Sequence, residues 1–434
     1  MATYYCLGIK GAGVSALAAL LHDLGHTVVG YDDHAAHKFT QDDLESRGVE
    51  IYSDSSCELR PEMILTHSRA LRDDHPEIIR ARAAGLELVE YNQVLGALTR
   101  QYRTIGISGT HGKTTTTSMI AHIMGDCHYF IGDGTGSVSP GSDRFILEAD
   151  EYNRHFLAYS PETAVITNVE LDHAECFDGL AGYMASFKQY GDKAKLVVAC
   201  GDDDNVRAID FTSPVLYYGF GEHNDVVATD VVLTGEGTSF GCFVGGEFFG
   251  TFKLPVPGAH MALNALGAIA VCRHYGVAAD QIAERLLTYE TARRRFKETV
   301  IGSVVSIDDY AHHPTELRVT LRTARLKYPD QQLVAVFLPN TYSRTRDLMD
   351  DFVEALKIAD KAYVMDIDCD RERPQDYPGV TSDTLIAQVP GAEKVALESV
   401  NKLLRHKGAV VCFMSCADIS PIKDAFDAQS SRSL

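Results

Sequence analysis

The sequence predicts an α/β protein of three units, and three features of its 434 residues carry that expectation. A single hydrophobic core stops growing at roughly 250–300 residues, so a chain of this length divides. Short apolar runs that end in glycine or polar residues alternate throughout with longer helical stretches, the pattern of parallel strands joined by crossover helices. Two glycine-rich strand-to-helix turns, at residues 8–16 and 106–114, each open what reads as a separate unit.

Composition narrows the class. Hydrophobic residues make up 45% and charged residues 23%, as in ordinary globular enzymes, and no apolar run approaches the roughly 20 residues of a membrane span. A strand pattern begins within three residues of Met1, without a basic region or cleavage site, so a cytoplasmic protein is expected. The ten cysteines are scattered and lack paired metal-finger spacing, which predicts reduced thiols. A formal charge of -20 argues against a nucleic-acid partner.

The first unit spans residues 1–99. An apolar strand at 4–8 runs into Gly11, Ala12, Gly13 and Ala16, a G-x-G-x-x-A fingerprint, and a second strand at 28–31 ends at Asp32, nineteen residues past Gly13. Alone, this reads as a dinucleotide site or as glycines that serve helix packing. Strands at 48–52, 63–66 and 86–90 continue the pattern, with a helix at 75–84; Lys10 and the His67-Ser68 pair fall at strand ends, where such folds bind ligands.

The second unit, 100–290, holds GISGTHGKTTTTS at 106–118. Gly109, Thr110, Gly112, Lys113, Thr114 and Thr115 form a phosphate cradle, with backbone N–H groups and a helix N-terminus facing phosphate oxygens, Lys113 on the β/γ-phosphates and the Thr114 hydroxyl on Mg²⁺. Ile107 stands where the strict P-loop pattern has its first glycine. A second glycine-rich turn at 130–137 either holds a phosphate or reverses the chain. A strand at 145–147 then delivers Glu148, Asp150 and Glu151; three acids so close repel unless a cation or an arginine neutralises them, which points to a metal role for at least one, the alternative being a solvated acidic turn. Another strand, 164–167, ends in Asn168, Asp172 and His173, placed for metal or phosphate; residues 195–252 are strand-rich. His260 and Asn264, four apart on a helix at 257–272, share a face and either meet an adenine edge or pack.

The third unit, 291–434, opens with Arg293–Arg295 and has strands at 304–307, 333–338, 361–365 and 409–414 before a polar tail from 429. It carries the run DDYAHHPTEL at 308–317 and, in PNTYSRTRD, Arg344 and Arg346 at a helix start, arginine positions suited to stabilising phosphoryl transfer.

GIKGAGVSALA, GTHGKTTT, EADEYNRHFL, TNVELDH, HMALNA, RRRFKE, DDYAHHPTE and SRTRD resemble, in the same order and spacing, the motifs of the Mur ligases of peptidoglycan synthesis. Within that family the pattern is most like its alanine-adding members. The resemblance implies a Rossmann-like N-terminal domain that holds UDP in place of NAD, a central P-loop ATPase-type α/β domain, and a Rossmann-like α/β C-terminal domain that receives the amino acid. It implies ATP and Mg²⁺ as cofactors, and UDP-N-acetylmuramate and L-alanine as partners of a monomer or weak homodimer that serves cell-wall building and hence cell shape and division. Lys10, Gly11, Ala12, Gly13, Asp32, His67 and Ser68 then belong to the UDP substrate. Glu148 and His173, twenty-five apart as in the family, match metal ligands beside Thr114. His260 and Asn264 match the adenine region, Arg295 the ATP phosphates and Asp309 the ribose, while Tyr310, His312 and Arg344 border the alanine and the acyl phosphate. Lys188 lies where some sister ligases carry a carbamylated lysine, and is expected to be unmodified. Met261, Asn340, Thr341 and the MSCADIS segment depart from the family pattern.

Overall fold

The computed structural model describes residues 1–68, 71–173, 176–369 and 372–432. It contains three sheets, one in each third of the chain, and the alternation read from the sequence is present in all of them.

In the first sheet, five parallel strands run in the order Glu50–Tyr52, Thr27–Tyr31, Thr3–Leu7, Met63–His67 and Glu87–Glu90. The order reverses between Thr3–Leu7 and Met63–His67, so the crevice for a ligand opens at the carboxyl ends of these strands. The helix Ala12–Asp23 starts there and buries eight consecutive residues, Val14 to Leu21, because it packs on its own sheet and on the central unit together. The central contact is close: a Cβ on Gly136, in the second glycine-rich turn, would lie 2.3 Å from the Ala16 carbonyl oxygen.

The second sheet has ten strands. Its parallel part includes Val215–Gly219, Leu196–Cys200, Thr163–Ile166, Arg103–Ser108, Arg144–Glu148 and His128–Phe130, and the antiparallel strands Gly237–Val244 and Glu247–Leu254 extend one edge. Arg103–Ser108 lies between Thr163–Ile166 and Arg144–Glu148, so the phosphate loop, the acid run and the residues around Asp172 emerge at one end of adjacent strands. The helices Lys113–Met124 and Ala259–His274 cover the same face of this sheet.

In the third sheet the order is Lys297–Ile301, Val304–Asp309, Val410–Met414, Leu333–Phe337, Lys361–Val364, Glu393–Lys394. The first strand is antiparallel and the last is two residues long; neither has the apolar run by which the other four are legible. The polar tail expected from 429 is helical as far as Arg432, in Ser420–Arg432, because Ile422 and Phe426 anchor that helix; 433–434 lie outside the described residues. No helix among the described residues is long and apolar enough to cross a membrane.

Candidate active site

The loop between Arg103–Ser108 and the helix Lys113–Met124 needs its glycines. Gly109 has φ 136°, and a Cβ there would come within 2.1 Å of Thr167 Oγ1; Gly112 caps the helix at φ 81°, and its Cβ would meet Asn264 Oδ1 at 2.6 Å. Both conformations belong to glycine, and both let other groups approach the backbone. Lys113 folds back over the loop and donates to the carbonyls of Gly109 (2.6 Å) and Thr110 (3.1 Å) and to Glu151 Oε1 (2.9 Å).

Glu148 is the hub beside it. Its carboxylate accepts from Thr114 Oγ1 (2.9 Å) and from the Gly132 N–H (2.6 Å), and Arg295, from the third unit, donates to the same Thr114 hydroxyl at 3.1 Å. A Cβ on Gly132 would stand 2.5 Å from that carboxylate, so the second glycine-rich turn brings its backbone to an acid. Burial pushes both Glu148 and Glu151 above the ordinary carboxylate range, and the Lys113 charge offsets only part of it. His173, at φ 54°, places Nε2 3.9 Å from Glu151 and 3.8 Å from Asp172. Asp172 in turn takes a forked contact from Arg344 of the third unit, at 2.9 to 3.2 Å, with both residues nine-tenths buried. Burial acts against the Asp172 charge, but His173 and Arg344 outweigh it and hold the carboxyl well below its usual range.

Three cavities meet here. One, of about 320 Å³, is lined by His111, Gly112, Thr115, His260, Met261, Asn264, Arg295 and Asp309 among others, and has the mixed apolar and polar wall of a nucleotide site. Burial pulls the His260 imidazole down to about 4, so that ring is neutral, and raises the Asp309 carboxyl to about 6. A second cavity, of about 310 Å³, holds Thr110, Lys113, Thr114, Glu148, Glu151, Asp172, His173, Tyr310, His312 and Arg344, and it shares Gly112, Arg295 and Glu316 with the first. The third, of about 510 Å³, lies at the carboxyl ends of the first sheet, against Gly11, Ala12, Gly13, Asp32 and Ser68. It shares Ala12, Gly13, Tyr91 and Tyr310 with the second.

The structure therefore brings together residues predicted from all three units, with two corrections. Lys10 does not line the third cavity: it is buried, and its ammonium donates to the carbonyls of His34 (2.8 Å) and Ala36 (3.0 Å), tying down the loop after the second strand. His67 is also outside the lining, with Nδ1 3.0 Å from the Ser68 carbonyl oxygen. Asp32 lines the cavity and at the same time accepts from the N–H groups of Lys10 and His34.

Sequence reasoning missed several neighbours. His111, inside the phosphate loop, bridges Glu170 Oε2 (2.9 Å) and Glu316 Oε1 (3.2 Å). Burial opposes its charge, yet the two carboxylates raise the imidazole to about 9. Tyr91 stands between the second and third cavities; its place in an otherwise unremarkable helix start carried no signal. Lys188, on the helix Gly179–Gly191, points outward to Asp192 Oδ2 (2.8 Å) and to the Asp210 carbonyl.

Family comparisons align with this layout. The model described as "Mur ligase family, catalytic domain" matches residues 3–103, "Mur ligase middle domain" matches 137–272, and "Mur ligase, glutamate ligase domain" matches 293–416. Among solved structures, UDP-N-acetylmuramate-alanine ligase MurC from Thermotoga maritima is similar over 100% of both chains, at 24% identity and a TM-score of 0.85. A murein peptide ligase from Psychrobacter arcticus is similar over 99% of each chain, at 21% identity and a TM-score of 0.75. The MurF ligase of Thermotoga maritima, solved with ADP, covers 94% of this chain and 96% of its own, at 18% identity and a TM-score of 0.65.

Proposed function

The chain belongs to the Mur ligase family of ATP-dependent amide-bond-forming ligases, and on that premise we propose that it joins L-alanine to the lactyl carboxylate of UDP-N-acetylmuramate, with ATP converted to ADP and phosphate. The observation that carries the reading is the run of three connected cavities, with the phosphate lysine and the buried acids in the middle one. The sugar nucleotide lies in the cavity of the first unit, its carboxylate enters the middle one past Tyr91 and Tyr310, and ATP fills the cavity lined by His260 and Asn264, with its γ-phosphate reaching Lys113 in the middle one.

A carboxylate does not react with an amine at neutral pH. One carboxylate oxygen therefore attacks the γ-phosphorus, ADP leaves, and the acyl phosphate so formed is opened at its carbonyl by the amine, with release of phosphate. The first step brings two anions together, so neutral charge is the main requirement. Lys113 and Arg295 supply positive charge at the phosphates, and Glu151 with the Gly109 and Thr110 carbonyls holds the ammonium in its place.

Mg²⁺ fits the donor set, because Glu148 and Glu151 are two buried carboxylates whose desolvation is offset only in part by Lys113, 2.9 Å from Glu151. Thr114, Glu148 and His173 would hold it, and when bound it adds charge neutralisation at the phosphates. For the amine, His312 presents Nδ1 to the Tyr310 carbonyl (3.0 Å) and to Glu316 (3.1 Å); with the proton on Nδ1, Nε2 is left to take one from the alanine ammonium. Arg344 spends Nε and Nη2 on Asp172, while its buried Nη1 has no hydrogen-bond partner among the described residues and suits the alanine carboxylate.

The preference for alanine rests on the DDYAHHPTE run and its neighbours; murein peptide ligases share the fold. The test is ADP release with ATP, Mg²⁺ and UDP-N-acetylmuramate, offering in turn L-alanine, L-serine, glycine and the tripeptide L-alanyl-γ-D-glutamyl-meso-diaminopimelate. The proposal expects kcat/KM for L-alanine at least about tenfold above each of the others, a margin of about 1.4 kcal/mol. The highest value for the tripeptide would instead identify a ligase of recycled peptides.

A further inference from the structure

Where the central and C-terminal units touch, in the wall of the nucleotide cavity, stands a cluster to which the proposed mechanism gives no step. His111 and Glu170 come from the central unit, and His313, the residue before the helix Pro314–Lys327, comes from the C-terminal one. One ligand atom from each lies within 4.8 Å of the other two. The three ligands of a tetrahedral ion with bonds of about 2.0–2.2 Å are about 3.3 Å apart. His111 Nε2 and Glu170 Oε2 are 2.9 Å apart as a hydrogen-bonded pair, so ligation exchanges the Nε2 proton for the ion and opens this pair by a few tenths of an ångström while His313 closes in.

His313 is 2% exposed, and its Nε2 has no hydrogen-bond partner among the described residues. A buried ring nitrogen without a partner is costly, and it calls for one. The surroundings are built as metal sites are: Glu316 Oε1 lies 3.2 Å from His111 Nδ1, where it orients the ring, and Thr315 Oγ1 donates to Glu170 at 3.1 Å. Two imidazoles and one carboxylate suit Zn²⁺ and its neighbours, whereas Mg²⁺ prefers oxygen.

We propose that His111, Glu170 and His313 form a first-row transition-metal site of the Zn²⁺ class, separate from the Mg²⁺ site at Thr114, Glu148 and His173, which ties the C-terminal unit to the central one. The fourth position is left to water. Ligation through His313 Nε2 moves that ring's proton to Nδ1, so the hydrogen bond it accepts from the Thr315 N–H, 3.3 Å long, is given up. Because its ligands come from both units, the bound metal holds the enzyme closed and slows turnover that requires reopening.

The experiment uses the full chain, freed of metal and then saturated with Mg²⁺, and titrates it with Co²⁺ as a visible probe. One equivalent should give the strong d–d absorption of a low-coordinate nitrogen and oxygen site, and Zn²⁺ should displace it. His313→Asn keeps a side chain able to cap the helix but removes the ligand; Glu170→Gln keeps a carbonyl acceptor for Thr315. Each should weaken Co²⁺ binding at least tenfold, while His173→Ala leaves the band unchanged. A band that survives in both of the first two variants, one that disappears in His173→Ala, or no band at millimolar Co²⁺ overturns the proposal. If one of the two ligand variants fails to fold, the other decides.

Discussion

Asp172→Asn is the sharpest probe of how the C-terminal unit closes over the reaction. The replacement is isosteric, and an asparagine Oδ1 can still accept the His173 N–H that Asp172 Oδ1 takes at 2.8 Å. What it removes is the charge facing Arg344. Both residues are nine-tenths buried and joined by three contacts of 2.9 to 3.2 Å, so water screens little of the interaction. Leaving one member of a buried pair uncompensated costs about 3–5 kcal/mol. The partners belong to different units, so the variant escapes this cost by opening, and the penalty falls on the closed, reactive state. At about 1.4 kcal/mol per tenfold, kcat should fall by about 10²- to 4 × 10³-fold. The assay is steady-state ADP release, with the Mg²⁺ dependence and the melting temperature measured alongside. Both of those should stay near wild type, because the metal ligands and the three cores are untouched. A kcat within about threefold of wild type would refute the reasoning; so would a collapse of the melting temperature, which would make the pair part of the core.

Lys113→Ala should lower turnover by about 10³ or more while UDP-N-acetylmuramate still binds, as isothermal calorimetry can check, because the lysine, proposed to act on the ATP phosphates, lines a different cavity from the one proposed for UDP. Glu148→Gln and His173→Ala should each raise the Mg²⁺ concentration for half-maximal activity about tenfold or more; an unchanged requirement in both would remove them from the metal shell. If Asp309, raised by burial to about 6, accepts a ribose hydroxyl as proposed, the KM for ATP should climb as pH falls below about 6, where that carboxyl becomes protonated. The sign for stability is opposite: the folded state holds this proton more tightly than the unfolded one, so stability relative to Asp309→Asn declines as pH rises from about 4 to 6 and is level above. Lys188→Ala should leave activity within about twofold, with or without bicarbonate, since its ammonium is engaged at the surface by Asp192 and the Asp210 carbonyl; a large loss rescued by short carboxylic acids would reveal a carbamate.

How much of this was legible follows from how far apart the interacting residues stand in the chain. The phosphate loop could be read because its chemistry is local: two glycines in unusual conformations, a lysine and a hydroxyl fall within six residues, and no distant group has to be known. The strand ends could be read for the same reason, since a short apolar run followed by acids is a local pattern. Lys10 shows the limit. Its place at a strand end was correct, but the carbonyls of His34 and Ala36 decide where its ammonium goes, and nothing in the first ten residues reports them. The second glycine-rich turn was legible as a turn; that Gly132 is small so that Glu148 can approach became visible only with both strands in place. Least legible were the clasps between units, Asp172 with Arg344 across 172 positions and His111 with Glu316 across 205. Hydrophobic periodicity reports which face of an element is buried, and it carries no information about which charge on one unit will meet which on another. Those clasps join separate units, so any opening of the units against each other has to break them. The residues hardest to find from the sequence are therefore the ones that join the units, and variants at Asp172 and His313 test directly whether they govern closure of the site.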